Sequence, residues 1–193
     1  YGMGSPKFAA QLKTSGTTVE DSEAAHIVST YRSTYPLIPE LWRQGNSVLD
    51  AIMNNQSTPF GNGCVAVHGT DGILMPNGLY QRYPNLRKEA NSEGRDQFVY
   101  DARRGVNKIY GGKLVENICQ GLARCIIGEQ MIKIAQRYRV VLTVHDAIAC
   151  VVKEAELDEA LAYVEECMKW TPDWADGLPV NCEAGYGKSY GEC

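Results

Sequence analysis

The stretch RVVLTVHDAIACVV, residues 139–152, carries the strongest fold signal in the chain. Two runs of β-branched and apolar residues, Val140–Val144 and Ala147–Val152, flank a single His145-Asp146 pair. This pattern predicts a β-hairpin with the polar pair at its turn. Because both runs are too apolar to face water, we expect the hairpin to be central in a small antiparallel sheet, with its turn at the sheet edge.

Composition sets the class of protein. The chain has 193 residues, of which 44% are hydrophobic and 22% charged, so it suits one compact domain with a real core. No apolar run approaches the roughly 18 residues of a membrane span, so we expect no membrane contact. The seven cysteines are odd in number and have no zinc-type spacing, which predicts reduced, mostly buried thiols and a cytoplasmic location.

Charge is unevenly distributed along the chain. Residues 82–133 contain ten Lys and Arg against six Asp and Glu, whereas residues 154–193 contain two against ten. A basic middle is compatible with a face that meets phosphates, although solvated helix surfaces give similar counts.

Four segments have apolar residues at helical spacing. They are residues 17–36, with Thr18 as N-cap, and residues 37–55, 113–138 and 156–170. Residues 63–84 are rich in strand and turn signals, including Asp71-Gly72. Residues 85–113 are polar and basic and are predicted to form an exposed connection, and a short strand is expected near Val180. Helices packed on a small antiparallel sheet make the fold α+β.

The His145-Asp146 pair has two interpretations. A carboxylate on a rigid turn at a sheet edge suits a divalent cation such as magnesium, which prefers hard oxygen ligands. The alternative is structural, because Asp is a favoured turn residue and a neighbouring His need have no function. A hydrolase that uses a Cys and a His is disfavoured, because His26, His68 and His145 are dispersed and no Cys lies in a nucleophile motif.

Four motifs in order carry a family resemblance. They are YGMGSPKFAAQL (1–12), YGGKLVENICQGLARCII (110–127), TVHDA (143–147) and PVNCEAGYGKSYGEC (179–193). Their order and spacing resemble the C-terminal polymerase region of family A DNA polymerases, a family that includes the bacterial repair polymerase and its bacteriophage relatives. The resemblance implies part of a right-hand palm, with residues 1–57 as the end of the fingers and following helices. Residues 58–193 would be palm, with the catalytic hairpin at 140–152.

The resemblance also implies an activity and its partners. The activity is template-directed nucleotidyl transfer, with two Mg²⁺ ions at the primer end and the incoming dNTP. Asp146 would bind metal and His145 would lie beside the primer terminus. Tyr1 and Gly2 would lie at the templating base in the insertion site.

Four further residues are expected to contact DNA. Gln120 would donate to the minor-groove acceptors that every base pair presents, and an ordinary polar helix position is its alternative. Lys113, Arg103 and Arg104 are candidate phosphate contacts, with solvated surface charge as an equal alternative.

Two departures from the family pattern limit the expected activity. The family's Glu after the catalytic Asp is Ala147 here. The family's other metal-binding Asp and its triphosphate-gripping Lys and Arg lie upstream of the fingers motif, so this chain is expected to carry only one ligand of the two-metal site. We expect it to need the N-terminal part of a polymerase, on the same or a separate chain, and to be inactive alone. The alternative is a non-catalytic remnant that binds DNA or a partner.

Overall fold

The structure, a computed structural model, describes residues 2–61 and 63–193. These residues form five α-helices and nine short strands, an α+β composition. They group into two compact units. The first comprises the chain up to Leu74 together with Gly78–Cys119, and the second comprises Met75–Asn77 and Gln120–Cys193. The assignment of residues 1–57 to fingers and 58–193 to palm stays a prediction.

The first unit begins with three helices. They are α1 (Ser5–Thr14), α2 (Asp21–Thr34) and α3 (Leu37–Met53). The predicted boundary between the segments 17–36 and 37–55 is confirmed, because Pro36 follows the end of α2 and is the N-cap of α3. The predicted N-cap Thr18 is wrong, since Glu20 precedes the first turn and no side chain caps it. Within the apolar stripe predicted for α2, Ala24 is fully buried, whereas Ile27 and Tyr31 are exposed.

Helix α3 approaches the start of the long helix α4 (Gly111–Ala135) at two glycines. A Cβ atom on Gly45 would lie 2.7 Å from the Gly111 carbonyl oxygen, and a Cβ on Gly111 would overlap the Trp42 carbonyl oxygen. Asn46 fastens the same crossing, because its Oδ1 accepts a 2.6 Å hydrogen bond from the Gly111 amide. The two helices therefore meet backbone to backbone, which only glycine permits.

Four short strands in sequence order form an antiparallel sheet in the first unit. They are β1 (Thr58–Phe60), β2 (Val65–His68), β3 (Gly72–Leu74) and β4 (Tyr80–Gln81). Val65 and Val67 point into the core, as their alternation predicts. The predicted turn at Asp71-Gly72 is confirmed, with Gly72 at a φ of +103°.

A three-stranded antiparallel sheet follows, where the sequence predicted an exposed connection. Its strands are β5 (Arg87–Ala90), β6 (Asp96–Ala102) and β7 (Gly105–Ile109). The predicted exposure of residues 85–113 is confirmed for most positions, but the sheet was not predicted. Val99 and Ile109 are each 2% exposed and hold the sheet to the unit, while most other positions face water. Two buried apolar residues are enough to hold this sheet in place. The alternation of apolar and polar residues that would predict its strands is therefore obscured by charged residues.

In the second unit, α5 (Leu157–Lys169) is fastened to the C-terminal half of α4. The fully buried Gln130 donates from Nε2 to the carbonyl oxygens of Met168, at 2.8 Å, and Trp170, at 2.9 Å. The Tyr163 hydroxyl donates to the Lys133 carbonyl at 2.8 Å. The helices predicted over 113–138 and 156–170 are thus confirmed. Helix α4 starts two residues before and ends three residues before the predicted bounds, and α5 is one residue shorter at each end.

The hairpin of β8 (Val140–Val144) and β9 (Ala147–Cys150) is confirmed, but it is not central. Within the described residues it forms a two-stranded sheet of its own. Val141, Leu142 and Val144 are 49%, 42% and 40% exposed, so the expected burial of this hairpin is wrong for this chain. The expected single sheet is likewise replaced by three separate ones.

Three smaller findings complete the fold. Residues around Val180 form no strand in the structure, contrary to the prediction. Cys125 and Cys167 are buried, whereas the other five cysteines are partly or fully exposed, so the prediction of mostly buried thiols is wrong. Among the helices of the described ranges, none combines the length and the apolar character needed to cross a bilayer.

Candidate functional site

His145 and Asp146 are the two residues of the turn between β8 and β9. Val144 pairs with Ala147 and closes the turn, and both turn residues are exposed. This confirms their predicted position. The antiparallel pairing fixes the backbone on either side, so the turn presents the imidazole and the carboxylate together from a defined position.

The backbone of His145 is a feature that the sequence prediction missed. Its φ is +54°, in the left-handed region that favours glycine. A side chain in this region costs about 1–2 kcal/mol, so a two-residue hairpin turn usually has Gly, Asn or Asp there. The two-residue separation of the predicted strands was the sequence feature from which this backbone conformation could have been predicted. Backbone strain at an exposed histidine favours a functional role for its imidazole over a purely structural one.

Asp146 offers two carboxylate oxygens to solvent, which are suitable ligands for magnesium. Its neighbour Ala147 offers none. Across residues 2–61 and 63–193, no group of three or more His, Cys, Asp or Glu side chains is arranged to hold a metal ion. The turn therefore fits one ligand of a cation site and does not by itself form a complete one.

Two other predicted DNA contacts lie on helix α4. Gln120 is exposed, at the point where the chain enters the second unit. Lys113 lies in the first turn of α4, and its Nζ pairs with Glu116 at 2.9 Å. The Glu116 carboxylate partly neutralises the positive charge of Lys113 that was expected to contact a phosphate. The roles predicted for Gln120 and Lys113 stay predictions.

The remaining predicted residues lie on different elements. Gly2 has a φ of +73°, and a Cβ there would lie 3.3 Å from the Tyr110 ring. Arg103 and Arg104 form the exposed two-residue turn between β6 and β7. Tyr1 lies outside the described residues. Of all the predicted site residues, His145 and Asp146 share one turn, and Arg103 and Arg104 share another.

A buried polar network beside α4 was not predicted. Tyr83 is 7% exposed, and its hydroxyl accepts a 3.1 Å hydrogen bond from Asn117 Nδ2. Gln81 Nε2 donates to the Asn117 carbonyl at 2.7 Å. Burial raises the pKa of Tyr83 to about 12. The network joins the β4 segment to α4, which gives Asn117 a structural role in the motif that resembles a polymerase palm helix.

Comparison with known proteins gives one informative similarity. The chain is 26% identical over 176 residues to the DNA polymerase of Bacillus phage SP02, and the match covers 84% of this chain. It covers 26% of the relative, so the chain spans about a quarter of that protein's length. No protein-family model matches, and no solved structure matches significantly. The chain is thus related to a phage DNA polymerase, while membership of family A stays a prediction.

Proposed function

We propose that this chain is the C-terminal part of the polymerase domain of a family A DNA polymerase and takes part in template-directed DNA synthesis. The observation that carries the proposal is the exposed Asp146 at a two-residue turn, beside His145 in a strained left-handed conformation. The similarity to a phage DNA polymerase over most of the chain supports it. The partners are then primer–template DNA, a dNTP and the rest of the polymerase.

Three of the predicted site residues have the central roles in this proposal. Asp146 contributes one carboxylate to magnesium binding, and the other ligands come from outside this chain. Magnesium, when bound, stabilises the negative charge that develops on the reacting phosphate oxygens. His145 contacts the primer terminus from the same turn, and Gln120 donates to the minor groove of the terminal base pair.

The decisive experiment is Asp146→Asn in the polymerase that contains this chain, as one polypeptide or reassembled from two. The substitution keeps the shape of the side chain and removes a negative ligand. We expect primer extension to fall at least about 100-fold, because losing metal-mediated charge stabilisation costs several kcal/mol. The melting temperature should stay unchanged, because Asp146 is exposed.

Asp158 provides a matched control. It is an exposed acid in the first turn of α5, so Asp158→Asn makes the same chemical change away from the hairpin. We expect its extension rate to equal that of the wild type. If Asp146→Asn also extends primers normally, Asp146 is only a turn residue and the proposed role is wrong.

A second candidate function is a non-catalytic remnant of the polymerase fold that binds DNA or a partner. Ala147 favours it, because the carboxylate that the family places next to the catalytic Asp is absent. In that case the assembled wild-type protein binds primer–template DNA but extends nothing, and Asp146→Asn leaves binding unchanged.

A further inference from the structure

We infer that the β6–β7 hairpin tip is a contact surface for the phosphate backbone of double-stranded DNA, bound without regard to base sequence. What we call the basic tip consists of Arg103 and Arg104 at the turn, together with Lys108 lower on β7, opposite the buried Val99. That the partner is DNA rests on the proposed function. That the contact lies at this tip rests on the arrangement of charges in the β5–β7 sheet.

The other cations of this sheet are already partnered by acids. Arg87 pairs with Glu89 at 2.7 Å and with Asp101 at 2.9 Å. Lys88 pairs with Asp50 at 2.6 Å. These pairs neutralise the body of the sheet and hold β5 to β6 and to α3. Hydrogen bonds from the Asn85 and Arg87 side chains lower the pKa of Asp101, so this carboxylate stays ionised and bound to these two partners.

The basic tip differs from the body of the sheet. Within the part of the chain that the structure describes, Arg103, Arg104 and Lys108 make no ion pair with an acid, and all three are exposed. Three cations without an acidic ion-pair partner on one hairpin repel each other and favour a polyanion as partner.

The hairpin holds these charges on a fixed frame. Ala102 pairs with Gly105 around the two-residue arginine turn, and Val99 pairs with Lys108 further down the ladder. Buried Val99 and Ile109 anchor the base of the hairpin, and the Asp101 amide donates to the Pro84 carbonyl at 2.8 Å. The strand rise places Lys108 about 13 Å from Arg104. The backbone positions of the three cations are therefore fixed before binding, so binding has to order only their side chains.

Duplex DNA suits this row better than a single strand does. A duplex carries one negative charge per about 1.7 Å of its axis, which offers phosphates to all three side chains. Single-stranded DNA is typically held by aromatic stacking in addition to cations. Between Arg103 and Lys108 the chain has no aromatic residue, and the Phe98 and Tyr100 rings of β6 already contact Lys88 and Tyr83. Phosphate contact is therefore the interaction that the tip can make.

The test is duplex DNA binding by the 193-residue chain, measured by fluorescence anisotropy across a salt series. The variant is Arg103→Ala, Arg104→Ala and Lys108→Ala combined. Each lost phosphate contact lowers the slope of log affinity against log salt by about 0.9, so we expect a slope shallower by about 2.7. The affinity advantage of the wild type should then shrink about 40-fold between 50 and 200 mM salt.

Two controls isolate the tip. The combined variant Lys7→Ala, Lys13→Ala and Lys188→Ala removes the same charge from exposed positions elsewhere and should keep the wild-type slope. Arg103→Lys with Arg104→Lys keeps the charge at the turn and should also keep it. Circular dichroism verifies that each variant retains its fold.

The outcomes separate this inference from the proposed function. Duplex binding with the same slope in the wild type and the tip variant overturns the inference and leaves DNA binding standing. An equal decrease of this slope in the Lys control variant also overturns it, because the decrease then follows from the net charge of the chain and not from the tip. If polyglutamate displaces the bound duplex as effectively as unlabelled DNA does, the tip is assigned to an acidic protein partner and the inference is overturned. If the wild type binds no duplex at 50 mM salt, the inference fails together with the DNA binding on which it rests.

Discussion

His145 occupies a turn position whose φ of +54° glycine adopts without strain. We expect His145→Gly to leave stability unchanged or to raise it by up to about 1 kcal/mol, since relief of strain offsets the greater freedom of the unfolded chain. Primer extension by the assembled polymerase should fall, because the imidazole is lost. Thermal melting and single-turnover extension measure the two effects separately.

Asn55 is the matched control for this residue. It has a similar φ of +56° just after the end of α3, in the first unit. Asn55→Gly should preserve extension. If His145→Gly preserves it as well, His145 has no role in the reaction and only fills the turn.

Tyr83 gives the first unit a predicted pH dependence. Its pKa of about 12 in the folded chain lies above the unfolded value of about 10, so its contribution to stability is complete below pH 10 and is lost as the pH rises towards 12. Within this window the wild-type free energy of unfolding should fall by up to about 1.4 kcal/mol per pH unit more than that of Tyr83→Phe. Denaturant titrations at pH 9 and 11 measure the free energy of unfolding of both proteins. An equal fall between the two pH values in the wild type and in Tyr83→Phe would contradict the prediction.

At the scale of the secondary-structure elements, the α3–α4 crossing has no room for an added methyl group. Gly45→Ala places a Cβ 2.7 Å from the Gly111 carbonyl oxygen, where backbone leaves no room to adjust. We expect a loss of about 2 kcal/mol or more in stability, as for other overpacked sites. Urea denaturation of the wild type and the variant measures it.

Gly128 in the same helix α4 is the control for this crossing. A Cβ there meets nothing within 4 Å, so Gly128→Ala should stabilise α4 by up to about 1 kcal/mol. Opposite signs for the two Gly→Ala changes would support backbone contact as the reason for Gly45. Destabilisation by both would instead point to a general intolerance of α3 and α4 to substitution.

On the scale of the whole molecule, activity depends on groups beyond one turn. The hairpin supplies one carboxylate, whereas an in-line phosphoryl displacement with two metal ions needs several hard ligands. We expect the 193-residue chain alone to give no templated extension with magnesium and dNTPs in a gel assay. The assembled polymerase is the positive control, and extension by the isolated chain would contradict the expectation.

The sequence by itself determined the elements with strong local periodicity. The long helix α4, helix α5 and the hairpin around His145-Asp146 were predictable because their apolar spacing and turn residues are properties of a few neighbouring positions. The ordered motifs also indicated a relation to DNA polymerases, in agreement with the similarity to a phage DNA polymerase. The specific roles of Gln120 and Asp146 stay predictions.

Only the tertiary structure decided what depends on contacts between distant residues. The β5–β7 sheet was missed because two buried residues, Val99 and Ile109, hold strands that otherwise face water. The close approach at Gly45 and Gly111 joins positions 66 residues apart, which no local pattern encodes. The exposure of Leu142 has the same origin: an apolar strand is buried only when another element covers it, and burial depends on the packing partner rather than on the strand's own sequence.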